Sequence, residues 1–173
     1  CQRNPALLAG GDKLKNINEY FQYLYKLERV GIKYDLTNIT KLCRYLGNPQ
    51  NNFKSIHIAG TNGKGATASF IASALKEHGY KTGLFTSPHI LKFNERIRIN
   101  GKCISSSYIK KFLTDNLKII KKIKPSFFEV NTAMAFKYFA DNNVEAAVIE
   151  CGLGGRLDST NILNPEVSVI TQI

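Results

Sequence analysis

Paired cysteines are missing from this chain. It has four, Cys1, Cys43, Cys103 and Cys151, far apart and without a C-x-x-C pair. That spacing excludes a zinc ribbon or a disulfide framework and points to a reducing, cytoplasmic setting. No run approaches the ~18 uninterrupted apolar residues of a membrane span, and the first residues carry no recognisable secretory signal. Internal repeats and low-complexity tracts are also absent. Acidic residues are scarce, 13 against 24 basic ones, a net charge of +11. Such a balance admits nucleic acid as a partner. Much of the excess, however, is Lys110, Lys111, Lys118, Lys121, Lys122 and Lys124, alternating with Ile109, Phe112, Leu113, Leu117, Ile119, Ile120 and Ile123. An amphipathic helix with a solvated basic face is the favoured reading. Its positive field would also favour an anionic small-molecule substrate.

What is present begins with length and apolar content. The 173 residues suit one domain or one and a half at roughly 100–200 residues each. The apolar share of 43% is enough for a core. The chain opens on Cys1 and stops on Ile173 within an apolar, strand-like run, so a piece of a longer protein is expected. The expected layout is a helical lead-in over residues 1–50 and an α/β core over 51–173.

The stretch from Ser55 to Ser69 organises the rest. Ile56 to Ala59 reads as a buried strand, followed by Gly60-Thr61-Asn62-Gly63-Lys64-Gly65. Ala66, Ala68, Phe70, Ile71, Ala74 and Leu75 then fall at helical spacing. Strand, glycine turn with lysine, then helix is the layout of a phosphate-binding loop. Its glycines let backbone N–H groups face phosphate oxygens, and the helix N-terminus and Lys64 add positive charge. The pattern G-x-x-x-x-G-K-[ST] is missed twice, at Ile58 and at Gly65. An ordinary glycine turn with a surface lysine therefore competes, and the strand-to-helix context favours the phosphate site.

Elsewhere, Ile17, Tyr20, Phe21, Leu24 and Leu27 predict one helix ended by Gly31. A second, capped by Thr37 or Asn38, carries Ile39, Leu42, Tyr45 and Leu46 and stops at Gly47 and Pro49. Lys81 to Thr86 reads as a strand broken by Ser87-Pro88-His89, and Phe93 to Gly101 as a short strand or a loop. Ser105 to Ser107 cap the lysine-rich helix, which Pro125 ends. Thr132 to Asn142 has helical spacing, Val144 to Glu150 is a third buried strand, and Val167 to Ile173 a fourth. Strands alternating with helices predict an α/β, three-layer fold with a mostly parallel sheet.

Ligands of such sheets sit at the carboxyl ends of strands. Lys64 follows the first strand, Ser87 and His89 the second, and Glu150, Arg156 and Asp158 the third. A hydroxyl and a carboxylate beside a phosphate loop are oxygen ligands that Mg²⁺ prefers, which favours ATP with magnesium over a nicotinamide cofactor. A strand-end ion pair with Arg156 is the plainer reading of Glu150, and a turn hydroxyl that of Ser87. His57, within the first strand, reads as a satisfied core histidine. His89 is either a ligand contact or a turn hydrogen bond. Phe127 and Phe128 beside Glu129 form either an apolar wall with one polar hook, as a flat heteroaromatic pocket needs, or plain core packing.

The run Ile58 to Gly65 resembles the nucleotide loop of the Mur-ligase superfamily, and specifically of the folylpolyglutamate synthase/dihydrofolate synthase family, whose phosphate loop is shortened. Thr86-Ser87-Pro88-His89, Asn94-Glu95-Arg96-Ile97, Phe127-Phe128-Glu129 and Glu150 to Asn161 resemble its other signature blocks, in order. The resemblance covers nearly all of the chain from about residue 13. It implies a Mur-ligase-like central ATPase domain and an ATP-dependent ligase. The γ-phosphoryl group of ATP goes to a carboxylate of dihydropteroate or a folate, and L-glutamate displaces it to form an amide. By position it implies that Lys64, with Gly60, Thr61, Asn62, Gly63, Gly65, Ala66 and Thr67, binds ATP and that Lys64 and Glu150 are catalytic. Ser87 and Glu150 would be magnesium ligands. Ser126, Phe127, Phe128 and Glu129, with Leu157, Asp158 and Ser159, would line the dihydropteroate pocket.

Two residues depart from the family pattern. Ala66 stands where serine is common, with Thr67 as a substitute hydroxyl, and Ser159 stands where alanine is frequent. The resemblance also implies a further magnesium-ligating histidine, a carbamylated lysine and a C-terminal glutamate-binding domain beyond Ile173, so this stretch alone is expected not to complete the reaction. A monomeric full-length protein with neither nucleic-acid nor membrane partners is expected. The competing readings are a ligase acting on a UDP-linked muramoyl precursor and a non-catalytic nucleotide- or nucleic-acid-binding module.

Overall fold

The computed structural model describes residues 17–28 and 35–173. Its centre is a six-stranded sheet in the order β4-β3-β2-β5-β1-β6. The strands are β1 (Lys54–Ala59), β2 (Thr82–Phe85), β3 (Ile97–Ile99), β4 (Lys102–Cys103), β5 (Ala146–Glu150) and β6 (Val167–Ile170). β2, β5, β1 and β6 run parallel, with β1 registered against β5 from Lys54–Ala146 to Ile58–Glu150. β3 and β4 form an antiparallel edge. The stretch expected to be a short strand or a loop is thus a 3-10 turn over Phe93–Arg96 followed by β3.

Alternating side chains along β1 feed two cores. Ile58 packs with Val148 and Leu84 against Ala68 and Ala72 of α3 (Lys64–Glu77). The other face of the sheet, with Phe85, Ala147 and Ile149, packs against α5 (Phe127–Asp141) and the residues around it. The helices α4 (Ser106–Ile123), α1 (Ile17–Glu28) and α2 (Thr37–Tyr45) surround α5 on that side. These are the expected three layers. The larger core holds Phe136, Phe139, Leu113 and Ile109 at zero exposure, and each such side chain contributes about 1.5–3 kcal/mol relative to leaving it in water.

Several local expectations are corrected. α2 is not capped by Thr37 or Asn38: the Thr37 N–H donates to the Asp35 carboxylate at 2.8 Å, two residues earlier. Tyr45 lies on its outer face at 59% exposure, while Cys43 takes the inner place. On α3 the inward stripe is Ala68, Ile71, Ala72 and Leu75, and Phe70 points outward at 77% exposure. α5 begins five residues before the expected Thr132, because Ser126 and Glu129 form a capping box. α4 matches its reading, with Ile109, Phe112, Leu113, Leu117 and Ile120 buried and the lysines outside. The expected stop at Gly31 lies outside the described residues. Among the described residues, no helix is long and apolar enough to cross a membrane.

Candidate active site

The parallel strands end together on one edge of the sheet, and the chemistry-bearing residues follow them. After β1 the chain turns through Gly60, whose φ is +130°. A Cβ there would lie 2.1 Å from the Thr171 hydroxyl and 3.1 Å from its backbone nitrogen. Only glycine lets the loop pass so close to the end of β6. Thr61 and Asn62 donate their N–H groups to the Gln172 carbonyl at 2.8 and 3.2 Å, fixing the other flank. Gly60→Ala should therefore lower stability by about 2 kcal/mol or more through strain and overlap. Urea unfolding with a change below about 0.5 kcal/mol would reject that account.

Gly63, at φ +80°, is the N-cap of α3 and supplies no side-chain cap. The first N–H groups of α3 thus have no intrahelical partner and form a positive end open to an anion. Lys64 folds back over the loop, its Nζ donating to the Gly60 carbonyl at 2.9 Å and the Thr61 carbonyl at 3.2 Å. Its charge is held at the mouth of the loop. Ala66 is exposed and Thr67 half-buried in the next turn.

Glu150, the last residue of β5, lies 4% exposed between β2 and α3. Its Oε2 accepts the Ser87 N–H at 2.8 Å. A Cβ on Gly65 would lie 3.6 Å from its carboxylate, at ordinary contact distance, which places the first turn of α3 directly beside Glu150. Burial raises the Glu150 pKa, opposed by the Ser87 N–H and the charges of Lys64 and Arg96. Among the described residues Glu150 forms no ion pair with the exposed Arg156, so the plainer reading of Glu150 fails on geometry. The structure brings Lys64, Ser87 and Glu150 to one place.

The expected pocket residues are divided. Phe127 is buried, stacks on Tyr25 at 5.8 Å between centroids, and carries the Arg96 guanidinium 5.3 Å above its ring. Phe128 turns the other way, toward Phe85 and beneath Gly152, where a Cβ would meet its ring at 2.4 Å. Glu129 is not the polar hook. It is 2% exposed, and its oxygens accept the Ser126 N–H at 2.6 Å and the Ile39 N–H at 3.1 Å. The Ser126 hydroxyl accepts the Glu129 N–H, so it too serves the helix start. Asp158 is buried within its own loop, while Leu157 is exposed and Ser159 half-buried beside it.

Arg96 was not singled out as a site residue from the sequence alone, although its block was. It is 7% exposed and donates from Nε to His89 Nδ1 at 2.8 Å. His89 therefore makes a structural bond at the strand end. Glu95, its neighbour, accepts the N–H groups of Ile90, Leu91 and Lys92 and so shapes the turn after Ser87. These amides hold the Glu95 carboxyl below its ordinary pKa, Ile90 contributing most. His57 is the satisfied core histidine expected of it, with Nε2 2.7 Å from the Thr160 hydroxyl.

A mostly parallel sheet whose first strand passes through a glycine loop and a lysine into a helix has the layout of the phosphate-loop class of α/β proteins. No protein-family model matches the chain. It is 42% identical over 152 residues to the dihydrofolate synthase/folylpolyglutamate synthase of Bacillus subtilis, covering 84% of this chain and 35% of that protein. The fold superposes on folylpolyglutamate synthase from Thermotoga maritima with a TM-score of 0.86 and 44% identity, over 91% of this chain and 38% of that one. An FPGS–AMPPCP–folate complex gives a TM-score of 0.83 and 39% identity, over 90% and 40%. Over most of its length this chain is thus homologous to folylpolyglutamate and dihydrofolate synthases, and it spans somewhat more than a third of theirs.

Proposed function

We propose that this chain is the nucleotide-binding part of an ATP-dependent ligase that joins L-glutamate to dihydropteroate or a folate. The observation that carries the reading is the meeting of Lys64, the open amides of α3 and the buried Glu150 at one sheet edge, in a chain homologous to such synthases. A structural neighbour complexed with AMPPCP and folate supports an adenine nucleotide and a folate-type partner.

In this reading the loop amides from Gly60 to Thr67 and the Lys64 ammonium hold the β- and γ-phosphates. A carboxylate oxygen of the folate-type substrate attacks the γ-phosphorus and ADP departs. The glutamate amine then attacks the acyl carbon, phosphate leaves, and an amide forms as the nitrogen loses its proton. The carboxylate is a poor electrophile until phosphorylated, so the protein's task is to align the groups and offset charge. Ser87 and Glu150 fit magnesium: one is a hydroxyl, the other a buried carboxylate with only Oε2 committed to an N–H among the described residues. They would hold that ion, which neutralises phosphate charge when bound. Phe127, Phe128 and the segment Leu157 to Ser159 would border the pterin, with Ser126, Glu129 and Asp158 fixing their backbone. We assign the full-length protein to the cytosol as a monomer; the free thiols of Cys43, Cys103 and Cys151 support the reducing compartment.

Thermal unfolding of the chain with MgATP, and separately with dihydropteroate, tests the reading. A ligand that binds only the folded state stabilises by RT ln(1 + [L]/Kd), about 2.7 kcal/mol at 100 Kd. Wild type should gain that shift with MgATP and Lys64→Ala should lose nearly all of it. A full MgATP shift in Lys64→Ala would remove the phosphate-loop assignment. A dihydropteroate shift favours the folate ligase over a muramoyl ligase. Binding to mixed-sequence nucleic acid with steep salt dependence, and no MgATP shift, would favour a nucleic-acid module instead.

A further inference from the structure

Asp158 spends its whole carboxylate within the protein. Oδ2 accepts the N–H groups of Gly152 at 2.9 Å and Leu153 at 2.8 Å. Oδ1 accepts the Thr160 N–H at 2.9 Å and the Thr160 hydroxyl at 2.5 Å. A carboxylate has about four acceptor positions, and here each has a donor. The single hydroxyl proton of Thr160 is therefore committed to Asp158. The same oxygen lies 2.7 Å from His57 Nε2. With its proton spent, Thr160 Oγ1 can only accept there, so His57 carries its proton on Nε2. The Cys151 sulfur, 3.3 Å from the same nitrogen, is a second acceptor of that proton. Thr160 is fully buried and His57 7% exposed.

This chain of bonds joins segments distant in sequence. His57 stands in β1, three residues before Gly60. Thr160 and Asp158 belong to the turn region after β5, whose apolar Leu153 and Leu157 are 56% and 42% exposed. We infer that His57 and Thr160 are positioning residues for the second substrate, acting through Asp158 to clamp the glycine-rich loop against the strand that feeds the phosphate loop. The step from loop position to substrate affinity rests on the ligase reading above; the clamp itself does not. It commits the Asp158 carboxylate to one orientation and fixes where Leu153 and Leu157 stand relative to the nucleotide.

The test uses the full-length protein labelled with nitrogen-15 on histidine, the His57 signal being assigned by its loss in His57→Gln. Wild type and Thr160→Ser should show the Nε2–H tautomer. Thr160→Val, of equal volume without the hydroxyl, should show a changed tautomer signature. It should also show faster amide exchange at Gly152 and Leu153. Dihydropteroate should bind Thr160→Val about tenfold more weakly, the loss of one buried hydrogen bond, with recovery in Thr160→Ser and MgATP affinity unmoved in both. An Nδ1–H tautomer in wild type, or a Thr160→Val spectrum and exchange pattern equal to wild type, overturns the clamp. A changed spectrum with unchanged dihydropteroate affinity overturns the positioning role. If wild type binds no dihydropteroate, the ligase reading falls, and the spectrum and amide exchange still decide the clamp.

Discussion

Glu150→Gln should produce a protein more stable than wild type at neutral pH and, on the proposed ligase function, a full-length form that has lost about 10²–10³ of its rate, the scale of removing one preorganised electrostatic contact. Both effects have one cause. Glu150 is held 4% exposed beside Ser87 and the first turn of α3. Burial disfavours its ionised form and raises its pKa above the ordinary 4.5, despite the Ser87 N–H and the positive charges of Lys64 and Arg96. Between the unfolded and folded pKa values the folded state binds more protons. Stability therefore falls as pH rises through that window, and above it the folded state holds an ionised carboxylate that burial disfavours. Glutamine keeps an acceptor for the Ser87 N–H and carries no charge. Its advantage should vanish below the window and be complete above it. Urea unfolding of both proteins across the acid-to-neutral range measures this directly. A Gln variant equal to or weaker than wild type at neutral pH would show the carboxylate to be stabilising and the burial argument wrong. Stability gained where activity is lost is expected of a charge retained for chemistry.

The same residue shows what was legible in the sequence. Glu150 ends an apolar run, and a polar residue at a parallel strand's carboxyl end points to a ligand edge. Lys64 and the glycine loop were legible for the same local reason, since strand, turn and helix are contiguous. The parallel core strands followed from apolar runs alternating with helical stretches, and the amphipathic α4 from its periodicity. What failed was set by distant contacts. Phe70 looked like core because it lies at helical spacing with Ala66 and Ala74, yet the sheet takes the other stripe of α3, Ala68 and Ala72. Phe127 and Phe128 are adjacent in sequence and so diverge by about 100° around a helix; a strand would separate them further, onto opposite faces, so one wall built from both would need an irregular loop. The Asp158–Thr160–His57 chain closes over a separation of 103 residues, which no local pattern encodes. Arg96 shows the same limit: its burial depends on His89 and Phe127 meeting it from two other elements.

Glu129→Ala should cost about 3–4 kcal/mol of unfolding free energy, a large part of the roughly 5–15 kcal/mol that holds a typical domain. Glu129 was expected to face a ligand, and the sequence Ser126-Phe127-Phe128-Glu129 also fits the S-x-x-E capping box that the structure shows. Its two oxygens serve different elements. Oε2 takes the Ser126 N–H at 2.6 Å and starts α5; Oε1 takes the Ile39 N–H at 3.1 Å and ties α2 to it. Alanine would leave both N–H groups without that acceptor in a buried site, at about 1–3 kcal/mol each. Glutamine keeps one oxygen and should lose about half as much. Ser126→Ala removes only the reciprocal bond and should cost about 1 kcal/mol. The graded series separates capping from mere volume, since Glu129→Gln preserves size. A loss below about 1 kcal/mol in Glu129→Ala would mean that water or another group replaces the carboxylate. The functional consequence follows from what the first turn of α5 carries. Phe127 rests against Tyr25 and under Arg96, and Phe128 rests beneath Gly152. Fraying that turn should weaken dihydropteroate binding more than MgATP binding, because Lys64 and Gly60 are held by β1 and β6 and owe nothing to the Glu129 cap.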